Sequence, residues 1–395
     1  MNDIDIRSPD DEASAAGRML LRTLGGEPGD IDAVLDYCSA RFGPFPDPPI
    51  HSFPLADEPH VADWRGFVAD FAHAPFAGLQ SILPQLRIPI QRGVSGSEAY
   101  RRCMRLGELA WLEAFDARFE LREPERLSLF IHEHPSGALP VISTPSHADF
   151  SDLMRALYYR GEPEPVPASV NALLIAGLLD WGRVNRYKTA WSATATATAA
   201  TANRPGWSAE MQRVSRDEPW RFMDKLMIVC AQPYSAASAD DLGLRMSDAK
   251  WLQCSQTLRL EHEFMHYTTK RLYGSMHLNL FDETFCDWMG LVSAVQDYRA
   301  DWYLRFLGLS EWPAIDPAGR ANMYRGSLND AAFRLLCALM IEVARSVETL
   351  HRRFYEPSRR LRFALALSQL GLVELAGGDA SERFRAALQR ASSLA

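Results

Sequence analysis

The sequence has no surplus of positive charge: 42 Lys+Arg stand against 50 Asp+Glu, a net charge of −8 over 395 residues. A nucleic-acid binder needs a basic surplus or stripe to meet the phosphates. The longest basic clusters, Arg352-Arg353 and Arg359-Arg360-Leu361-Arg362, sit beside apolar helical sequence and read as solvated helix faces. Long apolar runs are missing too. Nothing approaches the ~18 consecutive apolar residues of a transmembrane helix. The start, Met1-Asn2-Asp3-Ile4-Asp5-Ile6-Arg7, has neither a basic n-region nor an apolar h-region, so no Sec-type signal peptide is expected. Cysteine is sparse: Cys38, Cys103, Cys230, Cys254, Cys286 and Cys337 are scattered with no C-x-x-C pair, which excludes a disulfide framework. G-x-x-x-x-G-K-[ST], G-x-G-x-x-G and G-x-S-x-G are absent, leaving nucleotide, dinucleotide and serine-hydrolase readings without a foothold. Together these absences predict a reduced cytoplasmic protein with neither a nucleic-acid nor a membrane partner.

What is present is ordinary globular material, 47% hydrophobic and 23% charged, enough for a sizeable core. Composition divides the chain into three regions. Residues 1–125 read as mainly helical, with apolar helix periods over Asp11–Leu24 and Asp30–Phe42, a Pro-rich loop from Pro44 to Pro54, and a long helical pattern from Ser97 to about Arg122. Residues 126–235 read as mixed. Leu127–His132 and Leu139–Thr144 flank Pro135-Ser136-Gly137 as a hairpin, and Lys225–Cys230 is a third strand. Asp149–Tyr159 and Val170–Val184 look helical, Glu162–Pro167 is a stiff connector, and the Ala/Thr run over residues 190–202 is expected to be a mobile surface segment. Residues 236–395 read as almost entirely helical. The expected fold class is α+β, predominantly helical.

One motif carries chemistry. Between Ser247 and about Leu272 the chain reads Glu261-His262-Glu263-Phe264-Met265-His266, an H-E-x-x-H uninterrupted by Gly or Pro. Residues four apart share a helix face, so His262 and His266 can converge on one metal ion. Glu263 lies about 100° round the helix and can hold a water without ligating. Catalytic zinc sites take three protein ligands, so a third is needed. Downstream, Asp282 is a good N-cap for a second helix running to about Leu307, on which Glu283 and Asp287 are spaced i,i+4. Folded back beside the first helix, Glu283 can complete a His2Glu site, and Asp287 can accept the free N–H of a ligating imidazole.

H-E-x-x-H followed by E-x-x-x-D, with Glu283 17 residues after His266, resembles the gluzincin class of zinc metallopeptidases. The resemblance covers about residues 262–287. It implies a zincin-like core with an active-site helix, a glutamate-bearing helix and a small β-sheet. It also implies Zn2+ on His262, His266 and Glu283, Glu263 as general base and Asp287 behind the ligands. The metzincin pattern is excluded by Thr269 and Leu272, where that class has Gly and His. The connecting loop is short, and no residue identifies itself as the oxyanion stabiliser. Tyr298, Tyr324, His277 and Arg325 are all candidates.

Other readings stay open. His277 is an alternative third ligand, and Glu261 is expected to face solvent. His132-Glu133-His134, with His147, is a competing metal pair on the hairpin. Trp181, Trp191, Trp207, Trp288 and Trp302 are core or cleft-lining candidates. The expected activity is that of a zinc-dependent hydrolase, metallopeptidase- or amidase-like, in which Glu263 activates a zinc-bound water against an amide carbonyl of a peptide or small molecule. The alternatives are a zincin-fold protein tailoring a small molecule in a biosynthetic pathway, and a helical binding protein whose H-E-x-x-H is not catalytic.

Overall fold

The computed structural model describes residues 9–43, 52–197 and 206–392. The chain forms two compact units, one from Met1–Leu55 with Pro233–Ala395, the other from Ala56–Gln232. The boundary at 232/233 lies near the composition shift at 235; the shift at 125 marks no boundary. Residues 1–55 join the C-terminal unit because Leu21, Ile31, Val34 and Phe42 are buried in the same apolar core as Trp288, Leu336 and Leu365. No helix among the described residues is long and apolar enough to cross a membrane.

The unit of residues 56–232 is built on a four-stranded mixed sheet: β1 (Ser128–His132), β2 (Leu139–Thr144), β3 (Ala172–Leu179) and β4 (Met223–Cys230), in spatial order β1-β2-β4-β3. β1 and β2 pair antiparallel with Phe130 opposite Val141, the expected hairpin. β2 pairs parallel with β4 and is buried along its whole length, which is why it reads as a continuous apolar run rather than an alternation. β3 corrects the helical reading of Val170–Val184. Its leucines favour a helix locally, yet Ala172–Leu179 pairs antiparallel with β4, with an irregularity between Ala176 and Leu178 around Gly177. The helix starts only at Trp181 and runs to Ala197, so the first part of the Ala/Thr segment is helical; residues 198–202 lie outside the described residues. So do residues 44–51 of the Pro-rich connection. The pattern starting at Ser97 is also shorter than expected. The Ser97 hydroxyl accepts from the Tyr100 N–H and opens a helix over Glu98–Leu106, but Gly107 takes a left-handed conformation (φ +69°) and stops it. Helix and strands enclose a separate core around Ile142, Phe150, Leu153 and Ile228.

Every regular element of the other unit among the described residues is a helix. Its longest helix, here the motif helix, spans Asp248–Tyr273. The Ser247 hydroxyl accepts from the Lys250 N–H at 3.3 Å at one end, and Gly274 (φ +74°) closes the other. A short turn leads to the glutamate helix, Leu280–Val295, which packs along the motif helix. They approach closely at Gly290, where a Cβ atom would lie 2.6 Å from the Leu258 carbonyl oxygen. The second helix ends at Val295, capped by Gln296 (φ +62°), twelve residues short of the expected Leu307, and a separate helix occupies Ala300–Leu307. A connection containing a 3-10 turn at Arg320–Tyr324 leads to the long helix Asp330–Phe354. Trp288 stacks on Phe363 at 4.1 Å, tying the glutamate helix to the C-terminal helices.

Candidate metal centre

The cap of the glutamate helix is Asn279, not Asp282. The Asn279 side-chain oxygen accepts from the Phe281 and Asp282 N–H groups at 3.1 and 3.2 Å. Upstream residues hold this corner: the Leu280 N–H donates to the Tyr37 hydroxyl at 3.0 Å, and the Asn279 amide to the Ala40 carbonyl at 3.1 Å. Asp282 therefore sits inside the first turn. Its Oδ2 accepts from the backbone of His277 (2.8 Å) and Leu278 (3.2 Å), fixing the connecting turn.

With this corner fixed, His262, His266 and Glu283 converge, all three buried. The two Nε2 atoms are 3.2 Å apart; Glu283 Oε1 lies 3.4 Å from His266 Nε2, and Oε2 lies 3.7 Å from His262 Nε2. Donors about 2.0–2.1 Å from a tetrahedral ion are separated by about 3.3–3.4 Å, so this triangle has the size such an ion requires.

Asp287, one turn beyond Glu283, accepts from His262 Nδ1 at 2.7 Å. That contact puts the ring proton on Nδ1 and leaves the Nε2 lone pair facing His266 and Glu283. The Tyr234 hydroxyl donates to the same Asp287 oxygen at 2.5 Å and lies 3.1 Å from His262 Nδ1. Behind His266, Asp282 Oδ2 is 3.7 Å from Nδ1. Burial opposes ionisation of Glu283, yet His262, Arg320 and His266 hold its carboxyl well below the usual range. Burial likewise opposes, and Arg320 and His262 outweigh, the charge of Asp287, which is also lowered. His266 is raised well above its ordinary value: burial works against the imidazolium, but Cys286, Asp282 and Glu283 favour it more strongly.

The centre is rich in carboxylates. Asp282, Glu283 and Asp287 are all buried there, and one guanidinium, Arg320, pairs with Glu283 and Asp287. Buried Arg259 lies over the Tyr234 ring.

Glu263, next to His262, is half-buried, and its carboxylate has no hydrogen bond or ion pair among the described residues. Glu261 corrects its expected solvent exposure: it is buried between the helices and accepts from the Ser293 hydroxyl at 3.3 Å. His277 stands outside the convergent group, its ring packed 4.6 Å from Phe42. Of the other oxyanion candidates, Tyr298 is buried against Tyr303, and Arg325 pairs with Asp330 and the Leu328 carbonyl. Burial and the Glu283 charge raise the Tyr324 phenol well above the ordinary value. The hairpin pair is otherwise engaged. Glu133 pairs with Arg65, His134 Nδ1 meets the Ser136 hydroxyl at 2.6 Å, and His147 contacts the Val170 carbonyl. No second group of metal-ligating side chains occurs among the described residues.

Two residues of the centre escaped sequence reasoning. Tyr234 follows a proline in an unremarkable loop, and Arg320 stands between helices with no motif around it. The one local sign was Gly319: a Cβ there would lie 2.5 Å from the Leu307 carbonyl oxygen and 2.7 Å from Gly308 Cα.

Fold and centre define a predominantly helical α+β protein with a buried two-histidine, one-glutamate group on adjacent helices. Residues 19–379 match DUF7005, a family of unknown function, and the chain belongs to that family. No curated protein and no solved structure matches it.

Proposed function

We propose that the chain is a zinc-dependent hydrolase with a zincin-like core of the gluzincin type, acting in the cytoplasm on an amide or peptide bond. The observation that carries this reading is the His262–His266–Glu283 triangle, whose donor separations suit a tetrahedral divalent ion. Zinc held there would polarise a carbonyl and lower the pKa of water toward ~7.

The chain's own residues supply the rest. Asp287 and Tyr234 fix the His262 ring, so its donor lone pair points inward. Glu263, on the same helix and with no competing partner, takes a proton from the attacking water and returns it to the leaving amine. Tyr324, whose phenol feels the Glu283 charge, is the proposed donor for the developing oxyanion.

Glu263→Gln tests the assignment. The variant should keep its metal and lose hydrolysis of a peptide library by at least about a hundredfold, the usual contribution of a general base. A zinc-loaded wild-type chain that cleaves no library member would favour the small-molecule tailoring reading. A Glu263→Gln variant as active as wild type would exclude Glu263 as the base.

A further inference from the structure

We propose that Arg320 is a positioning residue that confines Glu283 to one-oxygen ligation, keeping a coordination position open. The proposal rests on the metal reading above. Both carboxylate oxygens of Glu283 lie within reach of the same centre, Oε1 3.4 Å from His266 Nε2 and Oε2 3.7 Å from His262 Nε2. Left alone, such a carboxylate can close on an ion with both. Arg320 Nη2 prevents this by donating to Oε2 at 2.6 Å, and the same nitrogen lies 2.8 Å from Asp287 Oδ2.

One guanidinium therefore holds both the third ligand and the group that orients the first. Its other nitrogen, Nη1, donates to the Tyr234 hydroxyl at 2.8 Å and the Ser235 hydroxyl at 3.1 Å. Only a planar fork spans four such acceptors; an ammonium of equal charge cannot.

The backbone on both sides is shaped for this contact. Gly319, immediately before Arg320, packs directly on Gly308, so a Cβ at either position would press on backbone and displace it. On the opposite side, Ser235 (φ +49°) and Ala236 (φ +56°) take left-handed conformations that cost free energy without glycine. A buried ion pair serving stability alone would not call for adaptation on both sides.

Cobalt(II) substitution of the full chain, read by visible and X-ray absorption, tests the proposal in wild type, Arg320→Lys and Gly319→Ala. Wild type should hold four-coordinate cobalt with one Glu283 oxygen. Arg320→Lys keeps the charge but loses the fork. It should lose visible band intensity as cobalt moves toward five-coordinate with both oxygens engaged. If Arg320→Lys does not fold, Gly319→Ala decides, because it keeps the guanidinium and displaces its backbone; the same loss is expected. A folded variant with the wild-type spectrum, or a wild type already holding both oxygens, overturns the role of Arg320 and leaves the metal site standing. A wild-type chain that takes up no cobalt overturns the metal reading and this proposal with it.

Discussion

Gly290→Ala should separate the two helices that build the centre. A Cβ at this position would lie 2.6 Å from the Leu258 carbonyl oxygen and 2.9 Å from its Cδ2 atom. Ordinary contact begins near 3.4 Å, so the helices must part by roughly 0.8 Å, and the obstructing atom is backbone that cannot rotate away. Overpacking of this kind costs about 1–3 kcal/mol, against a gain of about 1 kcal/mol from replacing a helical glycine by alanine. The net expectation is a loss of up to about 2 kcal/mol. Leu258 lies one turn before His262, and Gly290 two turns after Glu283, so the same displacement opens the donor triangle. Zinc affinity should fall about tenfold or more, which shrinks the stabilisation by saturating zinc by about 1.4 kcal/mol. Urea unfolding with and without zinc reads both quantities. Gly66→Ala is the control: that helical glycine meets nothing within 4 Å, and alanine there should stabilise by up to about 1 kcal/mol. A Gly290→Ala variant as stable as wild type, with unchanged zinc stabilisation, would refute the close-approach reasoning.

Ala236→Gly should stabilise the chain by roughly 0.5–1 kcal/mol, because glycine removes the left-handed cost at φ +56° but enlarges the unfolded ensemble; a lowered urea midpoint would contradict this. Asp224, which accepts from the Trp64 indole N–H at 2.7 Å and pairs with Arg183, has its carboxyl pushed up by burial to about 6, against the pull of Arg183. The folded state binds this proton more tightly than the unfolded chain, so the contribution to stability is full below pH ~4 and lost as pH rises through about 6. Up to about 3 kcal/mol is at stake for the roughly two-unit shift. The unfolding free energy of wild type relative to Asp224→Asn should therefore fall between pH 4 and 7, and a flat difference would show that burial does not govern this group.

How far the centre could be read in advance differs from residue to residue. His262, His266, Glu283 and Asp287 stand out because metal chemistry demands fixed helical offsets, and Ser247 and Gly274 mark where the motif helix begins and ends. The hairpin of β1 and β2 is equally local, two apolar runs around Pro135-Ser136-Gly137. Arg320 and Tyr234 are different. Each reaches Asp287 across more than thirty residues of sequence, and neither spacing nor composition encodes such a meeting. β3 shows the same limit from the other side, since its leucines suit a helix and only pairing with β4 makes Ala172–Leu179 a strand. Asp282 and Glu261 were misread for a related reason. Their roles depend on how the two helices face one another, which the sequence of either helix alone does not state.

The most direct test of the metal-centre account is elemental analysis of the full chain purified without added metal, beside the Glu283→Ala variant. The account predicts about one zinc per chain in the wild type and its loss in the variant, since Glu283 supplies the third donor of the triangle. Metal-free protein in both cases, even after zinc is offered, would contradict it.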